Sequence, residues 1–140
     1  TTRAASSWEE AAADAREANA MALPDFGDDD WLRFAHAVYR EEAPGRIVRD
    51  VDPLIGRALR EPAGPAPDFW AAFGALDRLP LLSIRGALSD LLAADTVAKM
   101  LERQPQMQRC EVAGRGHVPT LDEPGSRAAL DRFLARWAAP

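Results

Sequence analysis

Asp90 and His117 have the residue types and positions that acid–base chemistry requires. A carboxylate that accepts the Nδ1–H of an imidazole fixes its tautomer and stabilises the imidazolium that forms when Nε2 takes a proton. Both residues follow predicted strands, and catalytic groups gather at the carboxyl ends of the strands in an open parallel sheet. Their separation of 27 positions leaves room for a single helical crossover. Such a pair constitutes half of a nucleophilic triad.

Two predicted strands carry these residues. Residues 81–84 form a short apolar run, which is typical of a strand buried on both faces of a parallel sheet. A weaker strand is predicted at 108–112, and the glycine-rich loop 113–117 follows it. A helix lies between the strands and another closes the chain, so the order predicts a two-strand parallel β-α-β-α unit. The apolar positions that define these helices are Ala94, Val97, Ala98 and Leu101 for the first, and Leu130, Phe133, Leu134 and Trp137 for the second.

The first 78 residues have the pattern of helices joined by loops. Ser7 and Glu10 have the spacing of a capping box, which predicts a helix from about residue 8 to residue 20. A second helix is predicted from the acidic residues 28–30 to just before Pro44, with at most a short extended piece at 46–49. Further helices are predicted at 53–59, where a proline takes the first helical position, and at 69–73, which Asp68 can cap. A loop rich in proline, at 62–67, joins these two helices.

The composition limits the classes of partner. The chain has 140 residues and a net charge of −5, so it lacks the basic surface that binding of nucleic acid needs. One cysteine cannot form an internal disulfide, which favours a cytoplasmic protein, and no apolar run approaches the ~20 residues of a membrane span. Two histidines and one cysteine supply no set of metal ligands, and Gly114 and Gly116 lack the rest of a phosphate-binding motif. We therefore predict no metal, no cofactor, no nucleic acid and no membrane.

Several other polar residues have structural interpretations. His36 lies between alanines on an amphipathic helix and is expected to be structural or solvated. Asp122 and Glu123 are expected to be charges at the N-terminus of the last helix, and Cys110 a small buried apolar residue. Aromatic side chains at helical spacing belong more often to a core than to an acyl pocket, and this applies to Trp8, Trp31 and Trp70.

Two motifs occur in order in the second half of the chain, LPLLSIRGALSDLL at 79–92 and GRGHVPTLDEP at 114–124. Together they resemble the C-terminal part of an α/β-hydrolase, in which a strand-Gly-x-x-x-Asp loop carries the triad acid and a Gly-His-x-Pro loop carries the triad base. By this resemblance Asp90 is the acid and His117 is the base. The resemblance implies a partial α/β-hydrolase fold, with a helical cap at 1–78 and the C-terminal β-α-β-α part of the core at 79–140.

The nucleophile elbow of that superfamily, Gly-x-Ser-x-Gly, does not occur in the 140 residues. The resemblance therefore implies a chain that supplies the cap, the acid and the base, and that is inactive by itself. The expected substrate is a small ester or a related acyl compound. The bond cleaved and the identity of the nucleophile, Ser or Asp, stay open. The alternative is a non-catalytic helical binding or interaction module on a vestigial hydrolase scaffold.

The apolar content predicts how the chain associates. Only 29 of the 140 residues are Leu, Ile, Val or Phe, which is close to the level of roughly 20% at which folding alone becomes doubtful. Two parallel strands are also too few for an independently stable sheet, so one strand edge should expose unpaired backbone groups. We therefore expect the partner to be a missing N-terminal half or a second copy that pairs through this edge.

Overall fold

The computed structural model describes residues 4–52, 54–55 and 67–137. The described residues form two compact units, one made of 4–20, 25–52 and 54–55, and the other of 21–24 and 67–137. The predicted loop at 62–67 lies outside the described residues except for Pro67, and so does most of the predicted helix at 53–59. Its described residues, Leu54 and Ile55, are helical. The predicted division into a cap at 1–78 and a core part at 79–140 stays a prediction.

Two helices pack against each other in the first unit. Helix α1 (Trp8–Asn19) begins at Ser7, whose hydroxyl accepts a hydrogen bond from the backbone N–H of Glu10 at 3.2 Å, as the capping-box spacing predicts. The Glu10 carboxylate accepts from the N–H and the hydroxyl of Ser6. Helix α2 (Asp28–Val38) buries Trp31 and Ala35, while α1 buries alanines. Because alanine side chains are small, the two helices can approach closely.

A β-hairpin follows α2, and here the predicted helix is wrong beyond residue 38. Strand β1 (Tyr39–Ala43) pairs antiparallel with strand β2 (Arg46–Arg49) across the turn Pro44-Gly45. Gly45 has φ of +69°, which together with the preceding proline fits a type II turn. Ile47 is buried and exchanges two backbone hydrogen bonds with Ala5. Pairing of β1 with β2, which in turn pairs with Ala5, therefore outweighs the helix propensity of the glutamates in β1.

The second unit contains the predicted β-α-β-α order. Helix α3 (Phe69–Gly74) is capped by Asp68, and strand β3 (Leu82–Gly86), helix α4 (Ala94–Arg103), strand β4 (Gln108–Val112) and helix α5 (Pro124–Trp137) follow it. The strands pair in parallel, with Leu82 opposite Gln108 and Gly86 opposite Val112. This arrangement confirms the predicted fold class.

Burial in the second unit differs from the sequence prediction in two places. The apolar side chains of β3 are only half-buried, because the described part of this sheet has two strands. Helix α5 buries Ser126 and Ala129, whereas Leu134 and Trp137 of the predicted stripe are 58% and 53% exposed. None of the described helices is long and apolar enough to cross a lipid bilayer.

Candidate active site

The loops that follow β3 and β4 leave the same end of the parallel pair and touch through their backbones. A Cβ atom on Gly86, the last residue of β3, would lie 1.9 Å from the carbonyl oxygen of Gly116 and 2.4 Å from that of Arg115. Leu88 N–H donates across the two loops to the carbonyl of Arg115 at 2.8 Å, and Ala87 N–H donates to the carbonyl of Val112, the last residue of β4, at 2.9 Å. Only glycine permits this approach, so Gly86 is what brings the two loops together.

The first loop, residues 87–93, carries Asp90 and is held by a buried arginine. The Arg85 guanidinium donates through Nε to the carbonyl oxygen of Leu92 at 2.5 Å and through Nη1 to the Glu111 carboxylate on β4 at 2.8 Å. The Ser89 hydroxyl accepts from Leu92 N–H at 3.0 Å, which closes the loop from inside. The Asp90 side chain is exposed. The loop is therefore fixed at both ends while its carboxylate faces solvent.

The second loop, residues 113–123, carries His117 and is held by its backbone and by one carboxylate. Gly116 N–H donates to the carbonyl of Ala22 at 2.7 Å, and a Cβ on Gly116 would lie 2.5 Å from the Cβ of Ala22. Further along the loop, Arg115 Nε donates to the Glu123 carboxylate at 2.7 Å. Both of these side chains are largely buried, with 11% and 9% of their surface exposed. Hydrogen bonds therefore fix the loop at Gly116, before His117, and at Glu123, after it.

Glu123 accepts several hydrogen bonds that only its charged form can satisfy together. They come from the N–H groups of Thr120 and Leu121, each at 3.0 Å, and from the Ser126 hydroxyl at 2.9 Å. Burial raises the pKa of Glu123, but hydrogen bonds from the Ser126 hydroxyl, from the N–H and hydroxyl of Thr120 and from its own N–H outweigh burial and hold the pKa at about 2. Its backbone carbonyl accepts from Arg127 N–H, so the residue stands at the start of α5. The predicted role of Glu123 at the helix N-terminus is confirmed, and its role in shaping the His117 loop is additional.

His117 is exposed, and its Nδ1 lies 3.4 Å from the hydroxyl oxygen of Ser89. Within the described residues, no hydrogen bond or ion pair joins Asp90 to His117, although their loops are neighbours. The Asp90–His117 dyad therefore stays a prediction. Ser89 and Arg85 have no predicted role in this site from the sequence. The available signal was that both lie in the same strand-and-loop motif as Asp90.

The remaining candidates have structural surroundings. His36 stacks on Trp8 with ring centroids 3.8 Å apart, which agrees with a structural role. Trp31 is buried as expected for core, and Trp70 lies under the Arg103 guanidinium at 4.1 Å. Cys110 is only partly buried, and so departs from the prediction of a buried residue. The described residues hold no group of three or more His, Cys, Asp or Glu side chains able to bind a metal ion.

Comparison with known proteins gives the same fold. A crystal structure of an α/β-hydrolase from Novosphingobium aromaticivorans is 39% identical and superposes with a TM-score of 0.85, covering 96% of this chain and 47% of that protein. The chain has the fold of the C-terminal portion of an α/β-hydrolase. E-2-(acetamidomethylene)succinate hydrolase, at 19% identity, supports this fold with a TM-score of 0.66 over 99% of the chain and 48% of that protein.

One curated relative is also a hydrolase. The 3-hydroxybutyrate-oligomer hydrolase of Cupriavidus necator is 41% identical over 65 residues, which are 46% of this chain and 22% of that protein. No family model matches the chain. The α/β-hydrolase portion described here therefore spans less than half the length of the solved structures it matches, and about a fifth of this curated relative.

Proposed function

We propose that the protein containing this chain is an α/β-hydrolase of the Ser-His-Asp type that acts on a small ester or a related acyl substrate. The observation that carries the proposal is the backbone contact at Gly86, which joins the loops of Asp90 and His117 at one end of two parallel strands. The order along the chain, acid first and base second, is the order expected of an α/β-hydrolase. The hydrolase relatives support the reaction class.

In the proposed mechanism His117 is the general base. Its Nε2 takes a proton from a nucleophile that the 140 residues do not contain, and later returns the proton to the leaving group. Asp90 would approach Nδ1 and stabilise the imidazolium. Because His117 and Asp90 are both exposed, this portion leaves the pair open to a nucleophile and a substrate from the rest of the protein.

A short acyl chain is the substrate class that the relatives favour. The Cupriavidus necator relative is a hydrolase of 3-hydroxybutyrate oligomers, and oligomers of a hydroxy acid are joined by ester linkages. The two loops carry exposed apolar side chains, including Leu88 at 54%, Leu91 at 73% and Val118 at 69% exposure. Such surface suits either an acyl chain or the packing of a missing N-terminal half.

Activity of two histidine variants tests the proposal in the full-length protein. His117→Ala should lower kcat for p-nitrophenyl butyrate by at least ~10²-fold, the usual contribution of a general base. His36→Ala, which removes the other histidine of the chain, should leave kcat within a few fold. If His117→Ala and the wild-type protein are equally active, His117 has no catalytic role, and the alternative of a non-catalytic binding module is favoured.

The 140-residue chain alone provides a second measurement. It should hydrolyse the same ester no faster than free imidazole, because the resemblance implies that oxyanion donors, each worth ~2.7 to 4 kcal/mol, lie outside it. Activity of the lone chain that persists in His117→Ala would contradict the assignment.

A further inference from the structure

One buried side chain contacts both ends of the loop that carries Asp90. The Arg85 guanidinium donates through Nε to the carbonyl oxygen of Leu92 at 2.5 Å, near the end of loop 87–93. Its Nη2 donates to the carbonyl oxygen of Ala87, at the start of the loop, at 3.4 Å. Asp90 lies between these two carbonyls in sequence. The segment that presents the predicted acid is therefore tied at both ends to one residue of β3.

The third nitrogen of the guanidinium is held by an ion pair. Nη1 donates to the Glu111 carboxylate at 2.8 Å, and Glu111 lies opposite Arg85 in the register of β3 and β4. A buried cation is costly unless it is paired and its N–H groups have acceptors. Because Glu111 supplies the charge and the loop supplies the carbonyls, the guanidinium cannot turn away from the loop without leaving buried N–H groups unpaired.

The shape of the guanidinium explains why an arginine stands here. Its N–H groups point in fixed directions within one plane, whereas the lysine ammonium is a single point of charge. The three acceptors come from separate parts of the chain, two from the loop and one from β4. A lysine at this position can keep the ion pair with Glu111 but has to give up at least one loop carbonyl.

The Asp90 carboxylate depends on its backbone for its position. It is exposed, and among the residues that the structure describes no hydrogen bond or ion pair reaches it. A catalytic group works only when it is held within about 0.5 Å of its productive position. What fixes the loop backbone therefore also decides where this carboxylate lies.

We propose that Arg85 is a positioning residue for the acid: it fixes loop 87–93 so that the Asp90 carboxylate meets Nδ1 of His117 in the assembled site. The catalytic meaning of this role rests on the proposed function, in which Asp90 is the acid of the triad. Arg85 acts through the loop backbone and touches no reacting atom.

A double-mutant cycle in the full-length protein tests the proposal. Arg85→Lys should lower kcat for p-nitrophenyl butyrate roughly 2- to 10-fold, the effect of one lost hydrogen bond, with KM unchanged. In an Asp90→Asn background the same change should lower kcat less than about twofold, because a residue that acts only through Asp90 then has nothing to position. Arg109→Lys, the same change at an exposed arginine of β4, should leave kcat within about twofold in both backgrounds.

The pKa of His117, measured by NMR without substrate, gives a readout that does not depend on activity. A carboxylate beside the ring favours the imidazolium, so Asp90→Asn should lower the pKa of His117, by about 1 unit or more if the two groups lie within ~4 to 6 Å. Arg85→Lys should lower it by part of that shift, and should add nothing to Asp90→Asn. Because lysine keeps the positive charge, the direct effect of that charge on the ring is largely retained.

Two results would overturn the role of Arg85. One is an equal loss of kcat from Arg85→Lys with and without Asp90, since Arg85 then stabilises the fold without positioning the acid. The other is a wild-type kcat and a wild-type His117 pKa in folded Arg85→Lys. If Arg85→Lys does not fold, Glu111→Gln takes its place in the cycle. It weakens the ion pair that anchors the guanidinium, and should give a smaller loss of kcat that again requires Asp90.

The same measurements separate this proposal from the proposed function. If Asp90→Asn and His117→Ala keep full activity, the proposed function fails. A His117 pKa that falls in Arg85→Lys only when Asp90 is present would still support placement of the carboxylate by Arg85. If Asp90→Asn lowers kcat and the pKa but Arg85→Lys changes neither, only the role of Arg85 fails.

Discussion

Replacement of Glu123 by glutamine should change how the stability of the protein depends on pH. The carboxylate accepts hydrogen bonds from Thr120, Leu121 and Ser126 and contacts the Arg115 guanidinium. Glutamine keeps one oxygen acceptor but loses the negative charge, and its NH2 group would face donors. The variant therefore removes the part of the loop's stability that depends on the ionised carboxylate.

The magnitude follows from the pKa of Glu123, which the fold lowers from 4.5 to about 2. A carboxyl with a lowered pKa stabilises the folded state fully above its unfolded pKa, and this stabilisation is lost as the pH falls towards the folded pKa. The full difference is worth roughly 3 kcal/mol, at about 1.4 kcal/mol per pH unit. By pH 3.5 about 1.4 kcal/mol of it should be lost, since the unfolded carboxyl is then mostly protonated.

Urea unfolding of the full-length protein at several pH values between 3.5 and 7 measures this effect. The stability difference between the unchanged protein and Glu123→Gln should be largest at pH 7 and should shrink by about 1.4 kcal/mol at pH 3.5. Asp122→Asn is the matched control, because it neutralises an exposed carboxylate at the neighbouring position. A stability difference for Glu123→Gln that stays constant over this range would refute the argument.

Two further predictions concern the packing of the loops and the edge of the sheet. Gly86→Ala places a Cβ 1.9 Å from a backbone oxygen and should cost at least about 2 kcal/mol, whereas Gly125→Ala, whose Cβ would have nothing within 4 Å, should cost far less in the same urea titration. Equal losses would show that the loop contact is not tight. The 140-residue chain alone should associate, so light scattering should detect species larger than a monomer and the urea midpoint should rise with protein concentration. A concentration-independent monomer with a stability of ~5 to 15 kcal/mol would contradict this prediction.

Patterns in short stretches of the sequence predict most of the helices and strands of the second unit. The apolar run at 81–84 and the weaker strand at 108–112 became β3 and β4, paired in parallel as the intervening helix requires. The Asp68 cap was predictable because a short side-chain acceptor satisfies free N–H groups two and three residues ahead. These features depend on residues close in sequence, so their signal lies within a short window.

The hairpin at 39–49 could not be predicted in the same way. Glu41 and Glu42 favour a helix locally, and nothing near them shows that Ile47 pairs with Ala5 more than 40 positions away. The burial of α5 differs from the sequence prediction for a similar reason. Helical periodicity marks an apolar stripe, but the surface that the helix meets decides whether Ser126 or Trp137 is covered.

Local sequence patterns are enough to predict the order of the elements and to place Asp90 and His117 in loops after neighbouring strands. Which side chain lies beside the imidazole depends on the tertiary structure. Glycines at 86 and 116 allow backbones to meet closely, and this contact brings Ser89 to 3.4 Å from a histidine 28 positions later. Such a distance depends on how two separate turns fit together, and no periodicity or spacing along the chain encodes that fit.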